Sequence, residues 1–296
     1  MQKRITLSRI TLALLSFLLV LLAGCAGSKP AKVGDSQALL WKITHPEATE
    51  PSYLYGTIHL IPQSSFFVGD SLSAVLERID KLVLEIDMSD PAIQTQLMMI
   101  MPMAGGETLQ SLLGERYDFT RKVFLDSFGL DLEILNAIKP MLVMAAAMPK
   151  LFDEPAEGYE MFLLKQASQR EIPVSGLETV QEQGAALDVI PLPEQANYLY
   201  EFASDLSGQR QQFRDLVGEY LKGNLQALYV LMASSGEMDA YGEVLLDGRN
   251  RNWVPRIREQ VLSGGALIAV GAGHFGGDQG LLKLLPEAGF TLTPIQ

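Results

Sequence analysis

Ala266-Leu267-Ile268-Ala269-Val270-Gly271-Ala272-Gly273-His274 opens with five apolar residues in a row. A strand buried on both faces requires such an unbroken run, which places it at the centre of a largely parallel sheet. The glycines and histidine that follow read as a loop leaving the carboxyl end of that strand. A helix over residues 279–288 and a last strand over 290–293 complete the unit.

The same grammar occurs near the other end of the domain. Strands are predicted over 38–43 and 52–56, the second running into Gly56-Thr57-Ile58-His59. Asp70 is placed to cap a helix on which Leu72, Val75, Leu76 and Ile79 recur at helical spacing, and 81–87 reads as a buried strand. This strand–helix–strand run predicts a parallel, right-handed βαβ unit. Apolar steps of three and four predict helices over 91–103, 108–113, 117–128, 132–151 and 158–170, then a short strand at 172–174. Further helices are expected over 192–206, 209–222, 224–234, 238–247 and 252–262, the last with Pro255 in its first turn. The fold class is therefore α/β: a central mixed sheet built from N- and C-terminal strand–Gly-x-x-His–helix–strand units, with a large helical insertion packed over it.

Residues ahead of the domain carry a different message. Lys3, Arg4 and Arg9 precede a short apolar run from 10 to 22, too short to span a bilayer comfortably and typical of a secretory signal. Leu22-Ala23-Gly24-Cys25 resembles a lipobox. The expected organisation is a signal peptide at 1–24, a lipidated Cys25 with a tether to residue 37, and a domain over 38–296. Ala26 follows the cysteine, with no Asp there to favour inner-membrane retention. The resemblance to Gram-negative lipoproteins implies an outer-membrane lipoprotein facing the periplasm, held to the membrane through Cys25.

The chain has 296 residues and a net charge of −12, and its leader removes only cationic side chains. So acidic a surface disfavours nucleic acid and anionic lipid as partners. Cys25 is the only cysteine, which excludes an intramolecular disulfide, a thiolate metal site and a cysteine nucleophile in the domain. There is no Gly-x-Ser-x-Gly elbow, no His-Glu-x-x-His helix and no phosphate loop. Met98, Met99, Met101 and Met103 form one cluster, and Met141, Met144 and Met148 another. Each reads as core or as an adaptable apolar cover.

Chemistry concentrates at the two Gly-x-x-His motifs. Each follows a strand's carboxyl end, the edge at which open α/β sheets bind ligands. Glu85 sits near the end of an otherwise apolar strand, where a carboxylate is costly unless paired or ligated. Two histidines and a carboxylate could bind a divalent metal with positions open for water. The alternative leaves His59 and His274 as hydrogen-bonded loop residues and pairs Glu85 with a base such as Arg249. His45, before Pro46, reads as structural.

Tyr55-Gly56-Thr57-Ile58-His59, Leu84-Glu85-Ile86-Asp87, Gly176-Leu177-Glu178-Thr179, Arg249-Asn250-Arg251-Asn252-Trp253 and Val270-Gly271-Ala272-Gly273-His274-Phe275 occur in this order. Together, over about residues 38–296, they resemble the TraB/GumN family. That family is similar to Tiki proteins, metal-dependent peptidases, and looks related in fold to erythromycin esterases and haem-associated ChaN lipoproteins. The resemblance implies His59, Glu85 and His274 as metal ligands or catalytic bases, with manganese or cobalt as the metal class. It implies Arg249 and Asn250, or Asn252, as groups that orient substrate or stabilise an oxyanion. Glu178 fits a family block and is expected to pair structurally near the site. At Gly158-Tyr159-Glu160 the chain departs from the family, where an Asp is commoner than Glu160; the expected consequence is confined to local helix packing. The function expected is a metal-dependent, peptidase-like hydrolase of the cell envelope acting on a peptide or protein. The rival is a binding lipoprotein for haem, metal or a signalling peptide without turnover.

Overall fold

The computed structural model describes residues 38–233 and 240–296. The leader, Cys25 and the tether lie outside the described residues. The strands are β1 (Leu40–Thr44), β2 (Ser52–Thr57), β3 (Ile61–Pro62), β4 (Lys81–Ile86), β5 (Ala156–Glu157), β6 (Val174–Glu178), β7 (Ala266–Gly271) and β8 (Thr291–Ile295). Six of them form one sheet in the order β6-β4-β7-β2-β1-β8, while β3 and β5 pair as a small ribbon. β7 pairs in parallel with β2 on one side and β4 on the other, and β4 pairs in parallel with β6. β1 and β8 extend the sheet with antiparallel pairings. Every residue of β2 and β7 is buried, as the apolar run of 266–270 requires.

The strand order keeps the expected parallel βαβ unit and opens it. β2 and β4 belong to one sheet, but they are not neighbours, because β7 from the far end of the chain lies between them. The sheet is mixed and draws on both ends of the domain, as expected. It also takes β6 from the middle, displaced from the predicted 172–174 to Val174–Glu178. Gly176 permits that pairing, since a Cβ there would lie 2.7 Å from the Asp87 amide nitrogen.

Helix α1 (Asp70–Leu76) begins at Asp70 itself, with Gly69 at the cap, so Asp70 complements the helix dipole from the first turn. The helix expected over 132–151 contracts to Pro140–Ala147, because the residue before a proline avoids helical angles and Lys139 is extended. Next come α2 (Tyr159–Gln169) and α3 (Val180–Asp188), the latter absent from the predicted elements although a Thr179–Glu182 capping box marks its start. After Leu192–Ser204 follow α4 (Leu206–Leu221), α5 (Leu225–Ala233), α6 (Gly248–Leu262) and α7 (Leu281–Glu287). α6 starts earlier than predicted, so Pro255 lies inside it and Arg249 and Asn250 occupy its first turn.

Helices and sheet share one apolar core, with Phe124, Phe128, Phe213, Tyr220 and Trp253 among its largest members. Met103, Met141, Met144 and Met148 are core residues, whereas Met98 and Met99 are exposed. Among the described residues, no helix is long and apolar enough to cross a membrane.

Candidate active site

The register of β2 on β7 fixes the geometry. Gly56 lies beside Val270 and Thr57 beside Gly271, so both Gly-x-x-His segments leave the sheet at the same end of adjacent parallel strands. Glycine at 56 lets the two segments pack closely, since a Cβ there would stand 3.0 Å from the Phe275 ring. β4, on the other side of β7, brings Glu85 to the same end, and β6 brings Glu178. A hypothetical Cβ on Gly271 would lie 3.4 Å from both Glu85 Oε1 and His59 Nε2, and 3.8 Å from His274 Cδ2. His59, Glu85 and His274 thus surround Gly271, and all three are buried.

Each imidazole is held through Nδ1. His274 Nδ1 is 2.6 Å from Asn250 Oδ1. The Asn250 amide nitrogen donates to the carbonyl oxygens of His274 and Gln279, which fixes the amide so that its oxygen faces the ring. His274 therefore carries its proton on Nδ1 and leaves Nε2 bare. Nε2 lies 3.2 Å from Arg249 Nη1 and 3.9 Å from Glu85 Oε1, with the ring stacked on Trp253. Burial, Arg249 and His59 push His274 well below the ordinary histidine range, so it is neutral.

His59 is biased the other way. Its Nδ1 makes a 2.8 Å ion-pair contact with Glu160 Oε1, without the alignment of an ideal hydrogen bond. Burial works against its charge, but the Glu160 carboxylate outweighs that and raises His59 to about 9. For Glu160, burial favours the neutral acid, while His59 and the Thr57 hydroxyl, which donates at 2.5 Å, hold it below the usual carboxylate range.

Arg249 is the hub of the remaining charges. It donates to Glu85 Oε2 at 2.7 Å, to both oxygens of Glu178 and to the Leu245 carbonyl oxygen. With the His274 contact, all five guanidinium N–H groups are engaged. Trp253 Nε1 donates to Glu178 Oε2 at 3.1 Å, and burial leaves Glu178 raised despite Arg249. Gly271 N donates to Glu85 Oε1 at 2.9 Å, and Gln183 lies 3.4 Å from Oε2. A buried carboxylate in an apolar strand is thus paired, as its cost demands.

These contacts revise several sequence expectations. Asn250 holds His274, and its amide groups are occupied by that task. Asn252 is exposed on α6. Glu178 pairs beside the site, as expected. His45 lies elsewhere, against Phe290 and Arg258. Glu160 is the main correction: it contacts His59 directly and its role is not confined to helix packing. An acidic residue in the first turn of a helix has a sufficient explanation in the helix dipole, which hides such a role in the sequence.

Among the described residues, no group of three or more His, Cys, Asp or Glu side chains is gathered as a metal site. The donor chemistry nonetheless suits a divalent ion. His59 Nε2, Glu85 Oε1 and His274 Nε2 supply two imidazole nitrogens and one carboxylate oxygen, with second nitrogens anchored as in metal-bound histidines. Charge leaves room for an ion: Glu85 and Glu178 share Arg249, Glu160 faces His59, and Glu160 Oε2 has no hydrogen-bond partner among the described residues. A bound ion would displace Arg249 from His274 Nε2, while the Arg249 bonds to Glu85 Oε2 and Glu178 use other atoms.

Comparison with known proteins gives two findings. The model of the TraB/PrgY/gumN family matches residues 39–294. Part of the chain is similar to a protein named Metalloprotease TIKI2 from Danio rerio, at 31% identity over 87 residues, covering 29% of this chain and 17% of that protein. The matched segment is thus less than a fifth of the relative's length. No solved structure matches.

Proposed function

The chain belongs to the TraB/PrgY/gumN family, and from that premise we propose that it is a hydrolase of the cell envelope that cleaves the amide C–N bond of a peptide or protein at a site formed by His59, Glu85 and His274. The observation that carries the reading is the pair of buried imidazoles at the ends of adjacent parallel strands, each held at Nδ1, with Nε2 toward the space around Gly271. The partial likeness to a metalloprotease supports the peptide substrate class. Anchoring through a lipidated Cys25, facing the periplasm, belongs to the same proposal.

His59 Nε2, Glu85 Oε1 and His274 Nε2 would hold a divalent ion, manganese or cobalt by the family resemblance. Such an ion supplies a water nucleophile near neutral pH by lowering its pKa. The chain's own residues do the positioning. Asn250 and Trp253 fix the plane of His274, and Glu160 fixes His59. Arg249 aims Glu85, with Oε2 held and Oε1 turned to Gly271 N.

A second reading has its own support in the opposite bias of the two imidazoles. Groups whose environments push their pKa values apart divide into acid and base. Neutral His274 would take a proton from water at Nε2, and cationic His59 would deliver one from Nε2 to the leaving amine.

The test is incubation of the purified protein with a peptide library, with manganese, with cobalt and with chelator, and product detection by mass spectrometry. Cleavage that needs the metal and is lost in Glu85→Gln supports the first reading. Cleavage that survives chelation supports the second. Absence of cleavage under all conditions, with metal or ligand still bound, overturns hydrolysis in favour of a binding lipoprotein.

A further inference from the structure

An apolar recess opens directly beside the two histidines. Its walls are Phe213, Leu216 and Tyr220 of α4, Leu228 and Met232 of α5, and Leu246. Its floor is the His59 segment and the stretch from Gly271 to His274. The space between them, partly open to solvent, is about 580 Å³. Among the described residues, no charged side chain stands in its walls. The Tyr220 hydroxyl is engaged with the Gly56 carbonyl oxygen and with Tyr55, so it is tied back to the sheet. Polar groups therefore gather at one end, at Thr57, His59 and His274.

We propose that this recess receives an apolar side chain of the substrate, of leucine or phenylalanine size, adjoining the bond that is cleaved. The inference rests on reading His59 and His274 as the reaction centre. A ligand complementary to the recess has a hydrophobic body and a polar group at one end, and an acylated apolar amino acid has that form. Two structural features fit this use. Residues Glu243–Asp247 form a π-helical turn, a distortion frequent at functional sites. This turn puts Leu246 on the recess and the Leu245 carbonyl oxygen on Arg249, so one backbone irregularity serves both pocket and charge centre. Met232 lies over Gly273, where a Cβ would meet its methyl carbon at 2.4 Å. An unbranched, adaptable thioether there accommodates side chains of differing shape.

The measurement is titration calorimetry of the full chain with N-acetyl-leucinamide, N-acetyl-phenylalaninamide and N-acetyl-aspartic acid amide, repeated on Met232→Trp and Met232→Glu. Discrimination by an apolar pocket should favour leucine and phenylalanine by roughly tenfold or more over aspartate. Met232→Trp should abolish that preference by filling the recess, and Met232→Glu by charging it. Met232 is only partly buried, so at least one of the two variants is expected to fold. Binding indifferent to side chain, or unaltered in a folded Met232 variant, overturns the proposal. Failure of the hydrolase reading gives a different result: selective binding with no cleaved peptide. Cleavage with no side-chain preference sinks the pocket and leaves the hydrolase.

Discussion

Nδ1 of His59 stands 2.8 Å from Oε1 of Glu160, a contact between the segment leaving β2 and the first turn of α2. The carboxylate gives His59 its charge and fixes its ring. In Glu160→Gln the carboxylate is gone; burial and Arg249 then oppose the charge with only Glu85 favouring it, so His59 should become neutral across the physiological range. NMR titration of the metal-free protein should show the His59 resonance moving near pH 9 in the parent and losing that transition in the variant. Cleavage should fall by roughly 10- to 100-fold, the usual effect of removing the partner of a functional histidine. Glu160→Asp should recover part of it. A His59 titration unchanged by Glu160→Gln would contradict this role.

Gly271 gives a sharper test, because a methyl group fits there without moving any atom. Its φ of −51° is ordinary for alanine, and the nearest atoms would be His59 Nε2 and Glu85 Oε1 at 3.4 Å. Gly271→Ala should fold and be as stable as the parent or more stable by about 0.4–1 kcal/mol, because the unfolded chain loses freedom, so its thermal midpoint should not fall. The methyl would nonetheless occupy the space the three functional groups share. Activity and metal uptake should both be lost. An active Gly271→Ala would place the chemistry elsewhere.

Glu182 links the start of α3 to α6. It completes the capping box with Thr179 and pairs with Arg256, which together lower it to about 2. Its folded pKa lies below the unfolded value of 4.5, so its contribution to stability is present above pH 4.5 and is lost as pH falls toward 2. The pair is substantially exposed, so the ion-pair share is small. Glu182→Gln keeps a capping acceptor and should cost no more than about 1 kcal/mol near neutrality, through the charge lost at the helix N-terminus and opposite Arg256. Thermal midpoints of parent and variant should converge below about pH 3, which a pH series of melting curves checks.

How much of this was legible in the sequence differs by residue. The run 266–270 announced a central strand because burial on both faces leaves a local signature. Strand β7 between β2 and β4 was not legible, since nothing local encodes which distant strand a buried strand joins. The βαβ unit itself was legible, since β2 and β4 run parallel in one sheet with α1 between them in the chain. α3 was missed because its buried face includes Gln183 and Gly184, which break the apolar period, although Thr179-x-x-Glu182 still signalled its start. Glu85 stood out as a charge in an apolar strand. Glu160 did not, because a carboxylate opening a helix has a local reason to be there.

Arg249 carries the last prediction. Among the described residues it is the one permanent cation paired with Glu85 and Glu178, and all three are buried. Arg249→Met keeps much of the side-chain volume over Trp253 but leaves two carboxylates without their partner. Removal of one member of a buried ion pair costs about 3–5 kcal/mol, so the variant should melt well below the parent. Arg249→Met combined with Glu178→Leu removes charge from both sides and should recover a large part of the loss. The same logic separates the two readings of the site. If His59, Glu85 and His274 take a divalent ion, manganese or cobalt should raise the melting point of Arg249→Met more than that of the parent, since the ion then supplies missing positive charge. With His59→Ala added, that extra gain should vanish. Equal metal responses in parent, Arg249→Met and the His59→Ala double variant would mean that the buried acids are balanced by protons alone, and the acid–base pair of His274 and His59 would be the mechanism left to test.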